Sequence, residues 1–351
     1  QKVEELDVVR VNPEGTIDAR FMAQIGDDSL FIGSRKAAPS KADETDQQAL
    51  QTMQAQTQKD QRIGCSIVST ASETLFRSHE TRVEIDATAN QKDLEYIHQD
   101  NRITDVVISS KTDAIENLYR IGRLINHIRE IHHVNAVRLR SFNFNYKPMV
   151  YTRAVIDRLG ELNRLAVVNP LRLEIETQFL HSSEIEQIHA DLIKALHNKG
   201  VTVYNNTPLL ANINDYAEEI HRLAYGCRKI GLEFHHLYVA GLPLQKEWSQ
   251  HHPVDISAVI DIASRVRRNG SGREIPRYII LTELGEVDFG LTSKLSEKNG
   301  RMSLKLLPYT LAYFKNMDPA YDWPPQVKVD TDGNPVLPVA GLVNSTRFFM
   351  A

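Results

Sequence analysis

Short β-rich runs recur along this chain at intervals of roughly 30–40 residues, the period of successive β–α units. They fall at 62–68, 104–109, 136–140, 171–176, 201–204, 233–239 and 277–281. Between most of them lie segments with helical periodicity, at 113–131, 154–162, 183–199, 215–230 and 254–268. Six or seven such units in a row predict an α/β fold: a parallel sheet rolled into a full or partial barrel, with its working groups at the C-terminal ends of the strands. Helix punctuation agrees. Ser182-Ser183-Glu-Ile-Glu186 has a capping-box spacing, Gly200 ends the segment that follows, and Pro253 and Asn269-Gly270 bracket the last one.

The flanks are different. Residues 1–34 read as an N-terminal extension with apolar clusters near Val8 and Leu30. Residues 35–61 begin linker-like and carry seven Gln between Gln47 and Gln61, so they form either a disordered tether or a solvated helix. The barrel is expected over 62–290. Residues 291–351 form an appendage in which the stretch from Val327 reads as two short strands around an Asp332-Gly-Asn turn. This appendage covers barrel elements or makes a subunit contact, with Tyr321, Trp323 and residues 348–350 as the apolar candidates.

The charge balance is 41 basic against 45 acidic residues, a net of −4, which excludes a polyanion-binding surface as the main function. No apolar run approaches the ~18 residues that a membrane span needs. Two cysteines, Cys65 and Cys227, exclude a disulfide framework and point to a reducing compartment, the cytoplasm or a mitochondrial matrix. The expected strand ends are poor in acids, bases and nucleophiles. His181 and Glu283 are their main titratable groups. The adjacent histidines His235 and His236 alternate across a strand, so at most one enters the barrel. Packed or surface histidines are the expected reading. His181 or His236 as a buried ligand or acid–base group is the sharper one.

Several runs carry a resemblance. Cys65-Ser-Ile-Val-Ser69-Thr-Ala-Ser72 has the spacing of a CxxxCxxC cluster loop with two of the three cysteines replaced. Asp105-Val-Val-Ile-Ser-Ser, Arg129-Glu-Ile-His-His-Val, Thr177-Gln-Phe-Leu-His181, Asn205 to Asp215 and Leu237-Tyr-Val-Ala-Gly241 then follow in order. Together they resemble the lysine 2,3-aminomutase family of radical S-adenosylmethionine, pyridoxal-phosphate enzymes. The resemblance implies a radical-SAM-type barrel that ancestrally held a [4Fe–4S] cluster, S-adenosylmethionine and pyridoxal phosphate.

The cofactor positions depart from the family's pattern. Cys65, Ser69 and Ser72 stand where three thiolates would hold the cluster, and a serine hydroxyl is a poor ligand for it. Cys227, inside a helical segment, is no replacement. Ser110, Lys111, Thr112 and Asp113 replace the glycine-rich turn that receives the nucleotide. Asp288 falls at the Schiff-base lysine, and a carboxylate forms no imine. Lys294 could substitute only in a remodelled loop, and Gly241 stands at the acid expected to hold the substrate ammonium.

The sequence therefore predicts a pseudoenzyme with no cofactor and no catalytic or metal site. It would act as a scaffold or regulatory subunit in a homo- or hetero-oligomer, without nucleic acid or membrane insertion. One alternative is a re-purposed barrel that binds or converts a small anionic metabolite near Lys111, Arg138 and Arg140, basic groups otherwise expected to be solvated at the mouth. The other is an active radical enzyme with unusual cluster ligation, drawing on residues such as His79.

Overall fold

The computed structural model describes residues 70, 72–77, 79–163, 170–298 and 301–345, together with the isolated positions 48, 51, 52 and 54. The expected strand at 62–68, with Cys65 and Ser69, lies outside these residues. The first described parallel strand is instead β2 (Arg82–Asp86), preceded by the antiparallel edge strand β1 (Leu75–Arg77).

Parallel strands then follow in sequence order: β3 (Asp105–Ser109), β4 (Ala136–Arg140), β5 (Arg172–Thr177), β6 (Thr202–Pro208) and β7 (Glu233–Ala240). A two-residue strand β8 (Val254–Asp255) belongs to a separate small sheet. Strand β9 (Arg277–Thr282) is the last parallel member, and β10 (Gly285–Asp288) returns antiparallel along its edge. The nine-stranded order β1-β2-β3-β4-β5-β6-β7-β9-β10 is a curled, mostly parallel sheet, a partial (β/α) barrel. The expected α/β class holds.

Alternation along each strand separates two environments. Val83, Ile85, Val106, Ile108, Val137, Leu139, Leu173 and Ile175 are buried in the main apolar core. Their partners at intervening positions face the concave side and are largely charged. The helices cover the convex side: α1 (Gln91–Gln99), α2 (Leu118–Ile128), α3 (Asn143–Tyr146), α4 (Arg153–Leu162), α5 (Gln187–His197), α6 (Ala217–Ile230), α7 (Pro243–Trp248) and α8 (Ile256–Asn269). Helix α2 shows why. Leu118, Ile121, Ile125 and Ile128 recur at helical spacing and are all buried.

Helix starts differ from the sequence reading where a side chain takes over the capping. Asp113 accepts from the backbone N of Ile115, so α2 begins at Leu118 and not at 113. Glu184 accepts from the backbone N of His181, making a 3₁₀ turn over Ser182–Glu184 before α5. At the other end of α6, Gly231 takes the left-handed conformation (φ 85°) that closes the helix.

The C-terminal part builds a four-stranded antiparallel sheet from β11 (Ser293–Lys298), β12 (Arg301–Leu306), β13 (Lys328–Val329) and β14 (Pro335–Pro338). The expected hairpin around Asp332-Gly-Asn is β13–β14. Strand β15 (Leu342–Val343) pairs with β8.

Helix α9 (Leu311–Met317) and the residue before its cap strap the open side of the main sheet. Tyr309 donates to the Glu286 carbonyl of β10 at 2.7 Å. Beyond it, the Tyr313 hydroxyl receives the Glu80 N–H at 3.2 Å, and Asn316 donates to the Glu80 carboxylate at 3.0 Å. Phe314, fully buried, anchors the strap, with Tyr321 stacked on it at 4.6 Å and Trp323 edge-on at 5.4 Å. Tyr321 and Trp323 thus pack on their own chain, the covering role expected of the appendage; residues 348–350 lie outside the described residues.

Phe314→Ala is expected to destabilise the protein by about 3–5 kcal/mol, the cost of emptying a buried aromatic site, measured by urea unfolding.

Candidate functional site

The concave side of the sheet is a polar lumen. Parallel register sets Arg138 opposite Glu174 and Arg140 opposite Glu176 on β4 and β5. Arg140, almost fully buried, donates through Nε to Glu176 at 3.0 Å and through Nη1 to Glu84 of β2 at 2.8 Å. Ser109 on β3 adds a 2.8 Å bond to Glu84. Arg138 reaches Glu174 at 3.2 Å and Glu176 at 3.6 Å. On the far side Arg82 pairs with Glu286 at 2.8 Å, and the Tyr238 hydroxyl donates to the same carboxylate at 2.7 Å.

The electrostatics follow from this packing. Burial alone would raise the Glu176 carboxyl, but Arg140 and Arg138 overcome it and hold it at about 2. Glu286 is also buried, yet Arg82 and then His236 push it well below the usual carboxylate range. Burial, opposed by both glutamates, leaves Arg140 above its ordinary value. Glu176, Glu286 and Arg140 therefore stay charged at neutral pH. The cavity left inside is ≈ 30 Å³, room for water and for no cofactor.

His236 faces this lumen and His235 lies beside it, with ring centroids 3.9 Å apart. Neither ring nitrogen of the buried His236 has a hydrogen-bond partner among the described residues. Burial, and then the neighbouring His235, lower its pKa to about 3, so the ring is neutral. A neutral imidazole offers one donor and one acceptor, and the water-sized cavity beside it can satisfy them.

At the strand C-termini the sequence-singled turn is closed upon itself. Asp113 is fully buried and accepts from Ile115 N, Ser141 Oγ and Asn143 N at 2.8–3.0 Å. Asn117 donates to the Ser110 hydroxyl at 2.9 Å and to Thr112 at 3.3 Å, while Lys111 is exposed. Ser72 lies at this same end, since Thr74, two residues on, hydrogen-bonds Asp86 N and the Asp93 carboxylate. Its hydroxyl is shared with Thr74 at 3.0 Å. Cys65 and Ser69 fall outside the described residues.

His181 is also at this end. Its Nε2 lies 3.1 Å from the fully buried Glu219, and burial followed by Arg222 lowers its pKa to about 4. Burial raises Glu219 to about 7 against bonds from Ser182. This histidine caps a turn through Ser183.

The remaining candidates are elsewhere. Strand β10 runs antiparallel, so Asp288 sits beside the start of β9, at the opposite end of the sheet from the 110–113 turn. There it is held by Arg277 at 3.0 Å. His79 lies at that same end, in the β1–β2 turn, away from the loops it would have to join as a cluster ligand. Lys294 is exposed on β11. At Gly241 (φ 107°) an added Cβ would stand 1.9 Å from the Leu281 carbonyl oxygen, so a substrate-binding acid cannot occupy that position without moving the backbone. Cys227 is buried in α6, its thiol pushed up by burial, 3.9 Å from the Asn205 amide. Among the described residues no group of three His, Cys, Asp or Glu side chains is arranged to hold a metal. The Asp288 carboxylate, held by Arg277, offers no amine for an imine, and Ser110, Thr112 and Asp113 of the 110–113 turn are engaged in its own hydrogen bonds.

Arg138 and Arg140 correct the expectation of solvated cations at an open mouth. They are interior, ion-paired, and distant in role from exposed Lys111. The signal was present in the sequence. Arg82-Val-Glu-Ile-Asp, Ala136-Val-Arg-Leu-Arg and Arg172-Leu-Glu-Ile-Glu put charges on one face of three strands at period two, which marks a polar lumen.

The molecule is thus a partial parallel α/β barrel with an ion-paired interior. In sequence it is lysine 2,3-aminomutase-like. It is 26% identical over 189 residues to the L-lysine 2,3-aminomutase of Clostridium subterminale, covering 54% of this chain and 43% of that protein. The enzymes of the same name from Methanococcus maripaludis and Bacillus subtilis are each 25% identical, over 54% and 53% of this chain and 41% and 37% of their own. The chain therefore matches less than half the length of these curated relatives. No protein-family model matches it. Among the described residues no helix is long and apolar enough to cross a membrane.

Removing Arg140 alone strands two buried carboxylates. Arg140→Met is expected to destabilise by about 3–5 kcal/mol, whereas Arg140→Met combined with Glu84→Gln and Glu176→Gln recovers most of that loss, as read from chemical denaturation.

His236 is neutral when folded and protonates more readily when unfolded, so its stabilisation is complete above about pH 6.5 and fades as pH falls toward 3. Going from pH 7 to pH 5 is expected to remove roughly 2 kcal/mol through this residue alone. His236→Phe should flatten that part of the stability–pH profile.

Proposed function

We propose that this chain is a non-catalytic lysine 2,3-aminomutase-like barrel that serves as a scaffold, accessory or regulatory subunit of a larger assembly, working without iron–sulfur cluster, S-adenosylmethionine or pyridoxal phosphate. The observation that carries this reading is the occupied lumen. Arg140 with Glu84 and Glu176 fills the lumen between β2, β4 and β5, leaving ≈ 30 Å³. The pairing of Asp288 with Arg277 supports it, because the matching position is committed to an ion pair at the far end of the sheet. So does Gly241, whose backbone leaves no room for an acid. Barrel patterning has been kept while each of these positions serves folding.

A second reading, a barrel that binds a small polar metabolite, is favoured by a cavity of ≈ 430 Å³ at the strand-start end. Lys111, Arg138 and Arg140 do not build an anion site, since the two arginines are neutralised internally.

Anaerobic reconstitution with iron and sulfide, followed by metal and sulfide assay and visible spectroscopy, tests the first reading. Substoichiometric iron and no charge-transfer absorption are expected. A near-stoichiometric cluster that binds S-adenosylmethionine would overturn the reading in favour of an active enzyme with unusual ligation. The assembly role is tested by light scattering on the purified protein at its expressed concentration, where a species larger than the monomer is expected.

A further inference from the structure

We infer that the C-terminal ends of α6 and α8 form a docking surface for a protein partner that presents an acidic segment. Lys229, Arg267, Arg268 and Arg273 supply its charge and Tyr225 its apolar anchor. The inference rests on the assembly role proposed above and names the chemistry of the partner. The surface lies on the outer helices, away from the lumen.

The chain as a whole carries 41 basic and 45 acidic residues, yet between 264 and 277 it has five arginines and one acid, Glu274. Arg265 and Arg277 are held by Glu218 and Asp288. Arg267, Arg268 and Arg273 are exposed, as is Lys229 on α6. Among the described residues none of these four has a carboxylate within ion-pair distance. Glu274 joins the two helix ends into one surface. It is buried, reaches Arg228 of α6 at 3.5 Å and accepts from the backbone N of Ser271 at 2.9 Å. It also lies 3.4 Å from where a Cβ would stand on Gly270, the residue that caps α8. Tyr225, 57% exposed, precedes Arg228 and Lys229 by three and four residues and so shares their side of α6.

Helix dipoles account for part of this charge. A helix C-terminus favours a cation in its last turn, and one per helix meets that need. Here each helix has two, and Arg273 lies beyond both. Cations gathered without counter-charge repel one another, and an acidic partner removes that repulsion on docking. The residue types are those of an interface. Three of the four free cations are arginines, whose planar fork takes a carboxylate through two bonds, and the exposed ring beside them is a tyrosine. Charge also favours a protein over a nucleic acid. Outside this patch the chain is more acidic than its net −4 indicates, so a long polyanion running past the patch is repelled, whereas a short acidic segment is not.

The test is fluorescence anisotropy with the whole chain at physiological salt, using a short labelled peptide of Glu interrupted by Leu. An oligothymidylate of equal charge is the comparison. Saturable binding of the peptide is expected, weakened by added salt and lowered about tenfold or more when Arg267→Gln and Arg268→Gln are combined. Tyr225→Ser is expected to lower it severalfold. All three positions are exposed, and circular dichroism checks that the variants fold. Arg153→Gln removes a cation that is 97% exposed at the start of α4, and is expected to leave binding unchanged, which separates this patch from net charge. The inference is overturned if the peptide does not bind, if the oligonucleotide binds as tightly, or if Arg153→Gln costs as much as the α8 pair. It is also overturned if the α8 pair or Tyr225→Ser binds like the parent chain. Failure of the non-catalytic reading shows separately, as a near-stoichiometric cluster on reconstitution, whatever the peptide does.

Discussion

The buried guanidinium of Arg140 is the constraint on which the rest of this barrel depends. It ties β4 to β5 through Glu176 and, across β3, to β2 through Glu84. A charged group of this burial is tolerated only when each of its neighbours is placed to receive it, so the three strands are held in one register by electrostatics as much as by backbone bonds. The apolar convex face could slide without such a lock, because Val83, Ile85, Val137 and Leu139 are similar in shape and chemistry. The lumen supplies the specificity and the convex face supplies the burial free energy.

The sheet also has two chemically distinct ends. At the strand C-termini the turns are closed by their own side chains: Asp113 takes three donors, and His181 leans on Glu219. At the strand starts the Arg82–Glu286 and Arg277–Asp288 pairs frame a cavity of ≈ 430 Å³. Barrels of this architecture ordinarily put their chemistry at the C-terminal ends. Among the described residues, the 110–113 and 181–184 turns at those ends spend their polar groups on folding.

Much of the architecture was legible from the sequence, and the reasons are local. Strands β3, β4, β5, β7 and β9 are apolar or alternating runs with helices of clear period between them, and both signals survive in a single chain. Strand β2 was missed because Arg82-Val-Glu-Ile-Asp is mostly charged, and its pattern makes sense only once its neighbours are known to carry the complementary charges. Candidate site residues were less legible for the same reason. Asp288 was singled out by resemblance, but its place at the strand-start end of the sheet follows from β10 turning antiparallel, which no periodicity reports. Arg140 read as a surface cation because its two partners are 36 and 56 residues away.

The strap across the open side has a bearing on biosynthesis. Asn316 meets Glu80 across 236 residues of chain, and Tyr313 meets it across 233. A ribosome adding residues in order exposes the β1–β2 hairpin long before the segment that covers it exists. Throughout that interval the β1–β2 turn and the mouth beneath it stand open beside a slowly forming parallel sheet. The nascent chain is therefore most vulnerable to mispairing from the moment β2 forms until α9 has emerged, and chaperone dependence should concentrate in that window.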